Sequence, residues 1–232
     1  MPRPPELSRT RLSVAAVEVV VWPGLIMVLG GNIRWIYGWA LTVWLIVFLA
    51  GCMLWLYRND PSLLAERLRP PDKSQQKAWD RHLLGVLLLL AAGWFVVMPL
   101  DAMRFRWTPQ WSDWARALGA LALLLGSFFL FRSLTDNTFL SPVVRMQQER
   151  KHKVVSTGVY GLVRHPMYLG TTLVMYGAPL LLGSALGLGI ATLALPLLVV
   201  RTLGEERMLE RELEGYTRYQ QQVRYRLVPP LW

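Results

Sequence analysis

An arginine–histidine pair stands at the start of a long apolar segment. Arg164 and His165 directly precede Pro166, and residues 167–200 carry no charge. Proline favours the first helical position because its missing N–H is not needed there. The pattern therefore predicts a helix that begins at Pro166, with Arg164 and His165 at its positive end. Since a helix N-terminus offers unpaired N–H groups to an anion, the first hypothesis is a site for an anionic ligand at a membrane surface.

Two glutamates are expected to meet this basic pair. The apolar run of residues 166–203 is long enough for two membrane arms of about 19 residues each, with a break near Gly183. The second arm returns to the same membrane face and continues into Glu205 and Glu206. The hairpin thus predicts a site that combines cations and carboxylates, a combination that suits a zwitterionic ligand.

S-adenosylmethionine is such a zwitterion, with a sulfonium, an ammonium and a carboxylate. The helix N-terminus and Arg164 would hold its carboxylate, and a glutamate would hold its ammonium. The residues also fit a purely structural interpretation, in which Arg164 and His165 anchor a helix at the headgroups and Glu205 and Glu206 form an acidic first helical turn. From the spacing alone both interpretations stay open.

Composition predicts an all-α, polytopic integral membrane protein. Of the 232 residues, 53% are hydrophobic and 17% are charged, against about 25% charged in soluble domains. Spans of roughly 20 apolar residues mark transmembrane helices. About six helices account for the apolar runs, with the last two as a hairpin followed by a cytoplasmic tail helix: residues 12–31, 35–57, 83–100, 114–131 and 166–203. Without a repeat, long linker or low-complexity tract, residues 1–232 are expected to form a single domain.

The net charge of +10 is distributed unevenly along this topology. With the N-terminus in the cytoplasm, 21 of the 25 Lys and Arg residues lie on the cytoplasmic side. This split fits the positive-inside rule with both termini cytoplasmic. The basic surface then faces anionic lipid headgroups, so nucleic acid is not an expected partner. The single cysteine, Cys52, forms no cluster, and no metal is expected.

The first polar loop predicts a short amphipathic helix. Asp60 is a favourable N-cap and Pro61 suits the first helical position. Leu63, Leu64 and Leu68 would share one face, lying on the membrane. A lid over a lipid-facing cleft is the alternative role of this helix.

The polar segments of the C-terminal half contain three motifs. Residues 137–145 read Asn-Thr-Phe-Leu-Ser-Pro-Val-Val-Arg, residues 154–168 include Gly-Val-Tyr and Arg-His-Pro-Met-Tyr, and residues 205–229 include Glu-Glu, Glu-Gly-Tyr and Arg-Tyr-Arg-Leu-Val-Pro. With this combination the chain resembles the isoprenylcysteine carboxyl methyltransferase family, which is related to the phospholipid N-methyltransferases. The resemblance is strong over residues 135–232, and the loop at residues 59–67 is similar to that of bacterial members.

The resemblance implies that residues 135–232 form a core that binds S-adenosylmethionine at the cytoplasmic face, with an entrance for the methyl acceptor from the lipid side. It implies methyl transfer to a lipid-like or prenylated acceptor, with O-methylation of a carboxylate, in a bacterial inner membrane. Carried over by position, the cofactor-binding residues are expected to be Lys153, Val154 and Val155 at the adenine, Tyr160 beside the cofactor, Arg164, His165 and Tyr168 around the pocket, and Glu205 and Glu206 at its polar groups.

Methyl transfer from a sulfonium is a direct displacement that requires alignment of the reacting groups and exclusion of water. A carboxylate acceptor is already ionised, and Arg224 or Arg226 would orient it in a charge-assisted pair. An amine acceptor would lose a proton to Glu205, Glu206 or His165. We therefore expect Arg224, Arg226 and Glu206 to be catalytic, with headgroup anchoring as the alternative role of the two arginines.

Two other classes of protein compete with this interpretation. Sterol-type membrane reductases that use NADPH are similar in an Arg-His-Pro-x-Tyr motif and a C-terminal hairpin, but typically carry Asn after the proline and lack the paired glutamates. Met167 and Glu205-Glu206 therefore favour the methyltransferase. A non-catalytic membrane scaffold would keep the helices and bind neither cofactor. The expected partners of the methyltransferase are a lipophilic acceptor and membrane lipids.

Overall fold

The computed structural model describes residues 8–68, 76–141, 143–144 and 152–232. Over these residues the regular secondary structure is helical. A π-helical turn, Leu100–Arg104, extends the fourth helix, and a 3-10 turn, Gly158–Gly161, precedes the sixth. The α-helices are α1 (Arg9–Gly30), α2 (Ile36–Asn59), α3 (Pro61–Arg67), α4 (Ala78–Pro99), α5 (Asp113–Asp136), α6 (Pro166–Leu182), α7 (Ala185–Glu212) and α8 (Tyr216–Gln222).

Five of these helices, α1, α2, α4, α5 and α7, are long and apolar enough to cross a membrane. The apolar α6 has 17 residues. Large apolar side chains point away from the bundle; Val28, Leu89 and Leu193 are 68%, 75% and 67% exposed. An apolar surface of this kind requires lipid rather than water around it. The predicted polytopic all-α membrane protein is confirmed, and the six expected spans correspond to five long helices and the shorter α6.

The C-terminal hairpin forms as its sequence predicts. Helix α6 begins at Pro166 and is followed by Gly183, whose φ of 83° lies in the left-handed region that glycine adopts without steric cost. The Ser184 side chain caps α7 by accepting a hydrogen bond from the Gly187 N–H at 2.9 Å. The beginning of α6 and the end of α7 therefore lie at the same end of the bundle, which we call the site end.

A buried carboxylate locks the hairpin turn at the opposite end. Asp101, in the π-helical turn, is fully buried. It accepts hydrogen bonds from the Ser184 hydroxyl at 2.6 Å, the Leu186 N–H at 3.1 Å and the Thr108 N–H at 2.9 Å. Its negative charge is also favourable beside the N-terminus of α7. Asp101 thus holds α7 in place relative to α4.

The tail consists of two pieces rather than one separate helix. Residues from Glu205 onward continue α7 without a break to Glu212, and α8 follows after Gly215, whose φ is 84°. At Gly204, within α7, the Trp79 ring packs where a Cβ would lie, at 2.5 to 2.9 Å from the built position. The last membrane span therefore carries its polar residues out of the membrane on a continuous helix.

The predicted loop helix is α3. Asp60 caps it by accepting a hydrogen bond from the Leu63 N–H at 2.9 Å, and Leu63 and Leu64 are buried against Leu56. The Arg67 side chain donates to the carbonyl oxygen of Leu140 at 2.7 Å. Helix α3 is therefore joined to the loop that follows α5.

Two reciprocal glycine contacts hold α5 against α6. A Cβ built on Gly170 would lie 2.9 Å from the carbonyl oxygen of Gly126, and one built on Gly177 would lie 2.9 Å from that of Gly119. Small residues allow such close approach of helix backbones in membranes. This contact sets the position of α6, and with it the position of Arg164, His165 and Tyr168.

We expect Gly170→Ala to lower the thermal unfolding midpoint of the detergent-purified protein, because overpacking of this kind costs roughly 1–3 kcal/mol. Gly93→Ala in α4 is the matched control, since nothing lies within 4 Å of its built Cβ. Alanine is the better helix former by about 1 kcal/mol, so the control midpoint should stay or rise. Equal midpoints for the two variants would contradict the close contact.

Candidate active site

A buried ion cluster centred on Glu206 lies at the site end. The Glu206 carboxylate accepts a hydrogen bond from the Arg164 Nε at 2.6 Å through one oxygen and from the Arg226 Nε at 2.7 Å through the other. The His165 Nε2 lies 3.2 Å from the first oxygen. Glu206 itself is 2% exposed. The structure thus brings together Arg164, His165 and Glu206, which the hairpin geometry predicted to converge.

Arg164 also holds the segment that follows α8. Its guanidinium donates to the carbonyl oxygens of Val223 and Arg224, each at 2.8 Å. The backbone N–H groups of Arg164 and His165 donate to the carbonyl oxygens of Tyr225 and residue 226, each at 2.9 Å. The tail is therefore fastened to the start of α6 by side-chain and backbone hydrogen bonds together.

Glu205 faces a different way from its neighbour, since adjacent helical residues differ by about 100° in direction. The Tyr168 hydroxyl donates to the Glu205 carboxylate at 2.5 Å. The Tyr168 ring stacks on the His165 ring with 5.6 Å between centroids. Glu205 lines a cleft, whereas Glu206 binds Arg226 in the segment that follows α8.

This cleft lies between the loops around residues 137–141, 143–144 and 152–155 and the adjoining parts of α6, α7 and α8. It is lined by eight of the nine residues expected to bind a cofactor: Lys153, Val154, Val155, Tyr160, Arg164, His165, Tyr168 and Glu205.

The three residues expected to be catalytic lie outside this lining. The Arg224 side chain is exposed, and its backbone carbonyl is what meets Arg164. Arg226 is half-buried, paired with Glu206, and its guanidinium carbon lies 5.3 Å from the centroid of the Trp232 ring. Because the carboxylate of Glu206 is occupied by two guanidinium groups, the geometry gives Glu206 and Arg226 a part in holding the tail.

Tyrosines of the tail, absent from the expected set, also line the cleft. The Tyr219 hydroxyl donates to the carbonyl oxygen of Tyr160 at 2.7 Å. The Tyr216 hydroxyl is buried and has no hydrogen-bond partner among the described residues. Burial raises the pKa of Tyr160, Tyr216 and Tyr219 well above the ordinary phenol value, so all three stay neutral hydrogen-bond donors. In the sequence, Tyr216 belongs to an apolar stripe, which predicts packing rather than binding.

A second buried ion pair supports the wall of the cleft. Asp80, fully buried in the first turn of α4, accepts hydrogen bonds from the Arg201 Nε at 2.8 Å and the Gln76 amide at 2.8 Å. It also accepts one from the Val144 N–H at 3.0 Å, and Val144 lines the cleft. No local pattern in the sequence indicates this pair, because its partners are 121 positions apart.

An apolar groove adjoins the cleft. It lies between α4, α6 and α7, and Met167 and Tyr168 line both the groove and the cleft. Arg201 also lines the groove, with its guanidinium carbon 5.7 Å from the centroid of the Tyr168 ring. Other lining residues include Leu84, Leu87, Ala91, Thr171, Met175 and Leu195.

We expect Glu206→Gln to lower the thermal unfolding midpoint strongly. It leaves buried Arg164 without its counter-charge, and an unpaired buried charge costs roughly 3–5 kcal/mol. Glu210→Gln is the control, one helical turn further along α7, where an exposed carboxylate accepts a hydrogen bond from Gln220. It should cost no more than about 1 kcal/mol. Similar losses in the two variants would show that the cluster does not hold the site together.

A family model described as phospholipid methyltransferase matches residues 114–214. The match runs from α5 to the end of α7, and it includes Arg164, His165, Tyr168 and both glutamates. No curated protein matches the chain. Over residues 114–214 the match confirms the group that the sequence motifs indicated, because the phospholipid methyltransferases belong to the same integral-membrane methyltransferase group as the isoprenylcysteine carboxyl methyltransferase family.

Proposed function

We propose that this protein, as a single membrane domain with its cofactor-binding core in residues 135–232, transfers a methyl group from S-adenosylmethionine to a lipophilic acceptor. The observation that carries the proposal is that the cleft, whose lining includes the charged residues Lys153 and Glu205, joins the apolar groove at Met167 and Tyr168. A water-soluble methyl donor suits the cleft, and the hydrocarbon chain of an acceptor suits the groove. The reacting groups would then meet beside Tyr168.

The residues of the cleft fit S-adenosylmethionine, which supplies an electrophilic methyl group on its sulfonium. The buried Tyr216 hydroxyl, without a partner among the described residues, can donate to a polar atom of the cofactor. The Glu205 carboxylate can accept from its ammonium. The backbone of residues 153–155 and the Tyr160 ring would enclose the adenine, with His165 at the start of α6. Arg164 is already bound to Glu206 and two carbonyls, so we assign it the support of this pocket.

For the acceptor we propose a carboxylate, which is ionised and needs no general base. Arg201 lines the groove next to Tyr168, whereas Arg224 and Arg226 line neither groove nor cleft. Arg201 is therefore placed better than those two arginines to orient the acceptor carboxylate by a charge-assisted hydrogen bond. Its own charge is balanced by Asp80, so the pair presents little net charge until the acceptor arrives.

Methylation of a phospholipid amine is the second candidate, and the description of the matching family favours it. An amine must lose a proton before it attacks, and the Glu205 carboxylate, which is hydrogen-bonded to the Tyr168 hydroxyl, is close to where that proton would be released.

The family match argues against an NADPH-dependent reductase and against a scaffold without a cofactor.

Calorimetric titration of the detergent-purified protein tests the cofactor. We expect binding of S-adenosylmethionine and of its demethylated product, and none of NADPH. Tyr216→Phe should weaken both by about five-fold, since a hydrogen bond contributes roughly 1 kcal/mol. The control is Tyr57→Phe, an exposed tyrosine of α2. Binding of NADPH alone would assign the protein to the reductases. Binding of none of the three compounds would favour the non-catalytic scaffold.

A bulky side chain in the groove tests the acceptor. Ala91 is exposed on α4 and lines the groove, so Ala91→Trp should raise the acceptor KM several-fold and leave S-adenosylmethionine affinity unchanged. Ala92→Trp, next to it and outside the groove lining, is the control. A farnesylated cysteine and phosphatidylethanolamine serve as acceptor probes. Methylation of the amine alone would replace the carboxylate proposal. Equal KM values for Ala91→Trp and Ala92→Trp would show that the acceptor does not bind in the groove.

A further inference from the structure

A third opening of the site end lies on the face of α7 that is turned away from the cleft. It is a groove between the start of α4 and the last four turns of α7, and we call it the basic groove. Only Met208 among its lining residues also lines the cleft. The groove is therefore separate from the site described above. Its lining residues are Lys77, Trp79, Val200, Leu203, Gly204, Arg207, Met208, Arg211 and Glu212.

Along α7 the lining of the basic groove changes from apolar to basic. Val200, Gly204, Arg207 and Arg211 recur at intervals of three or four residues and so share one face of the helix. Val200 belongs to the apolar run, while Arg207 follows it by about 10 Å along the helix axis. An amphiphile in the membrane shows the same change along the helix axis, from an apolar chain inside the membrane to a charged group at its surface.

The wall nearest the membrane is apolar and open. Trp79 is 38% exposed and Val200 is 54% exposed. Gly204 leaves the Trp79 ring in contact with the helix backbone, so the ring forms the floor of the groove. Tryptophan at this level is typical of the boundary between acyl chains and headgroups.

The rim of the basic groove carries an excess of positive charge. Lys77 is paired with Glu212 at 2.7 Å. Arg207 and Arg211 are exposed, and no ion pair to either occurs within the part of the chain that the structure describes. Two like charges four residues apart on a helix repel each other. An anion between them would reduce this repulsion, and the apolar wall formed by Trp79 and Val200 is suited to a hydrocarbon chain.

We propose that the basic groove binds an anionic phospholipid of the surrounding membrane, with its phosphate at Arg207 and Arg211 and an acyl chain along Trp79 and Val200. A phosphate accepts charge-assisted hydrogen bonds from both guanidinium groups. The membrane itself supplies this ligand at high local concentration, next to the apolar wall. This site goes beyond the proposed methyl transfer and does not depend on it.

Native mass spectrometry of the detergent-purified full chain tests the proposal. The protein is titrated with phosphatidylglycerol and, separately, with phosphatidylcholine of the same acyl chains. We expect preferential retention of phosphatidylglycerol, weakened about five-fold by Arg207→Gln and by Arg211→Gln, since a basic residue near an anionic surface contributes about 1 kcal/mol. Arg218→Gln, an exposed arginine of α8 with the same change in charge, is the control and should retain the lipid fully.

Three results of this experiment would overturn the proposal. Equal loss in Arg218→Gln would show a general attraction of a basic protein for anionic lipid. Unchanged retention in both groove variants would place the lipid elsewhere. Displacement of phosphatidylglycerol by equimolar inorganic phosphate would show a site for free phosphate without a role for the acyl chain. Both arginines are exposed, so the unfolding midpoints of the variants should match that of the parent and keep the comparison valid.

Discussion

The buried carboxylate of Glu206 is the interaction on which the arrangement of the site end depends. It joins the start of α6, the end of α7 and the segment after α8, three elements that are distant in the sequence. A carboxylate that is 2% exposed would be costly without counter-charges. Arg164 and Arg226 supply them, and Arg164 also satisfies two carbonyls of the tail. Because each partner depends on the others, the tail has one favourable position, and that position places Tyr216 and Tyr219 against the cleft.

The two adjacent glutamates consequently have different tasks. Glu206 is held by two guanidinium groups and keeps its place, whereas Glu205 points into the cleft and meets the Tyr168 hydroxyl. A site for a charged ligand needs both kinds of residue, since an acceptor group in a cleft is useful only if its helix cannot move. The Asp80–Arg201 pair gives the same support on the other side, where it joins α4 to α7 and holds Val144 in the cleft wall.

The sequence predicted what depends on local patterns and missed what depends on contacts between distant residues. Apolar runs of membrane length, Pro166 and Gly183 were sufficient for the helices and for the hairpin that brings Arg164 and His165 to the glutamates. Nothing local indicates that Asp80 meets Arg201, and Tyr216 has the pattern of a packing residue. Arg224 and Arg226 were expected at the reaction centre because of their charge. The structure instead uses a backbone carbonyl of Arg224, and it pairs Arg226 with Glu206, contacts that residue type alone does not reveal.

Helix α7 shows how one continuous helix can serve several surfaces at a membrane boundary. It leaves the apolar region without a break, and Trp79 packs on its backbone at Gly204. Beyond that point, successive residues face different surroundings: Glu205 the cleft, Glu206 the tail and Arg207 the basic groove. Because these faces are fixed by the helical repeat, a ligand on one face meets a surface whose shape the others already stabilise. The buried ion pairs at Arg201 and Glu206, on either side of Gly204, keep this part of the helix from rotating, and so keep each charge on its own face.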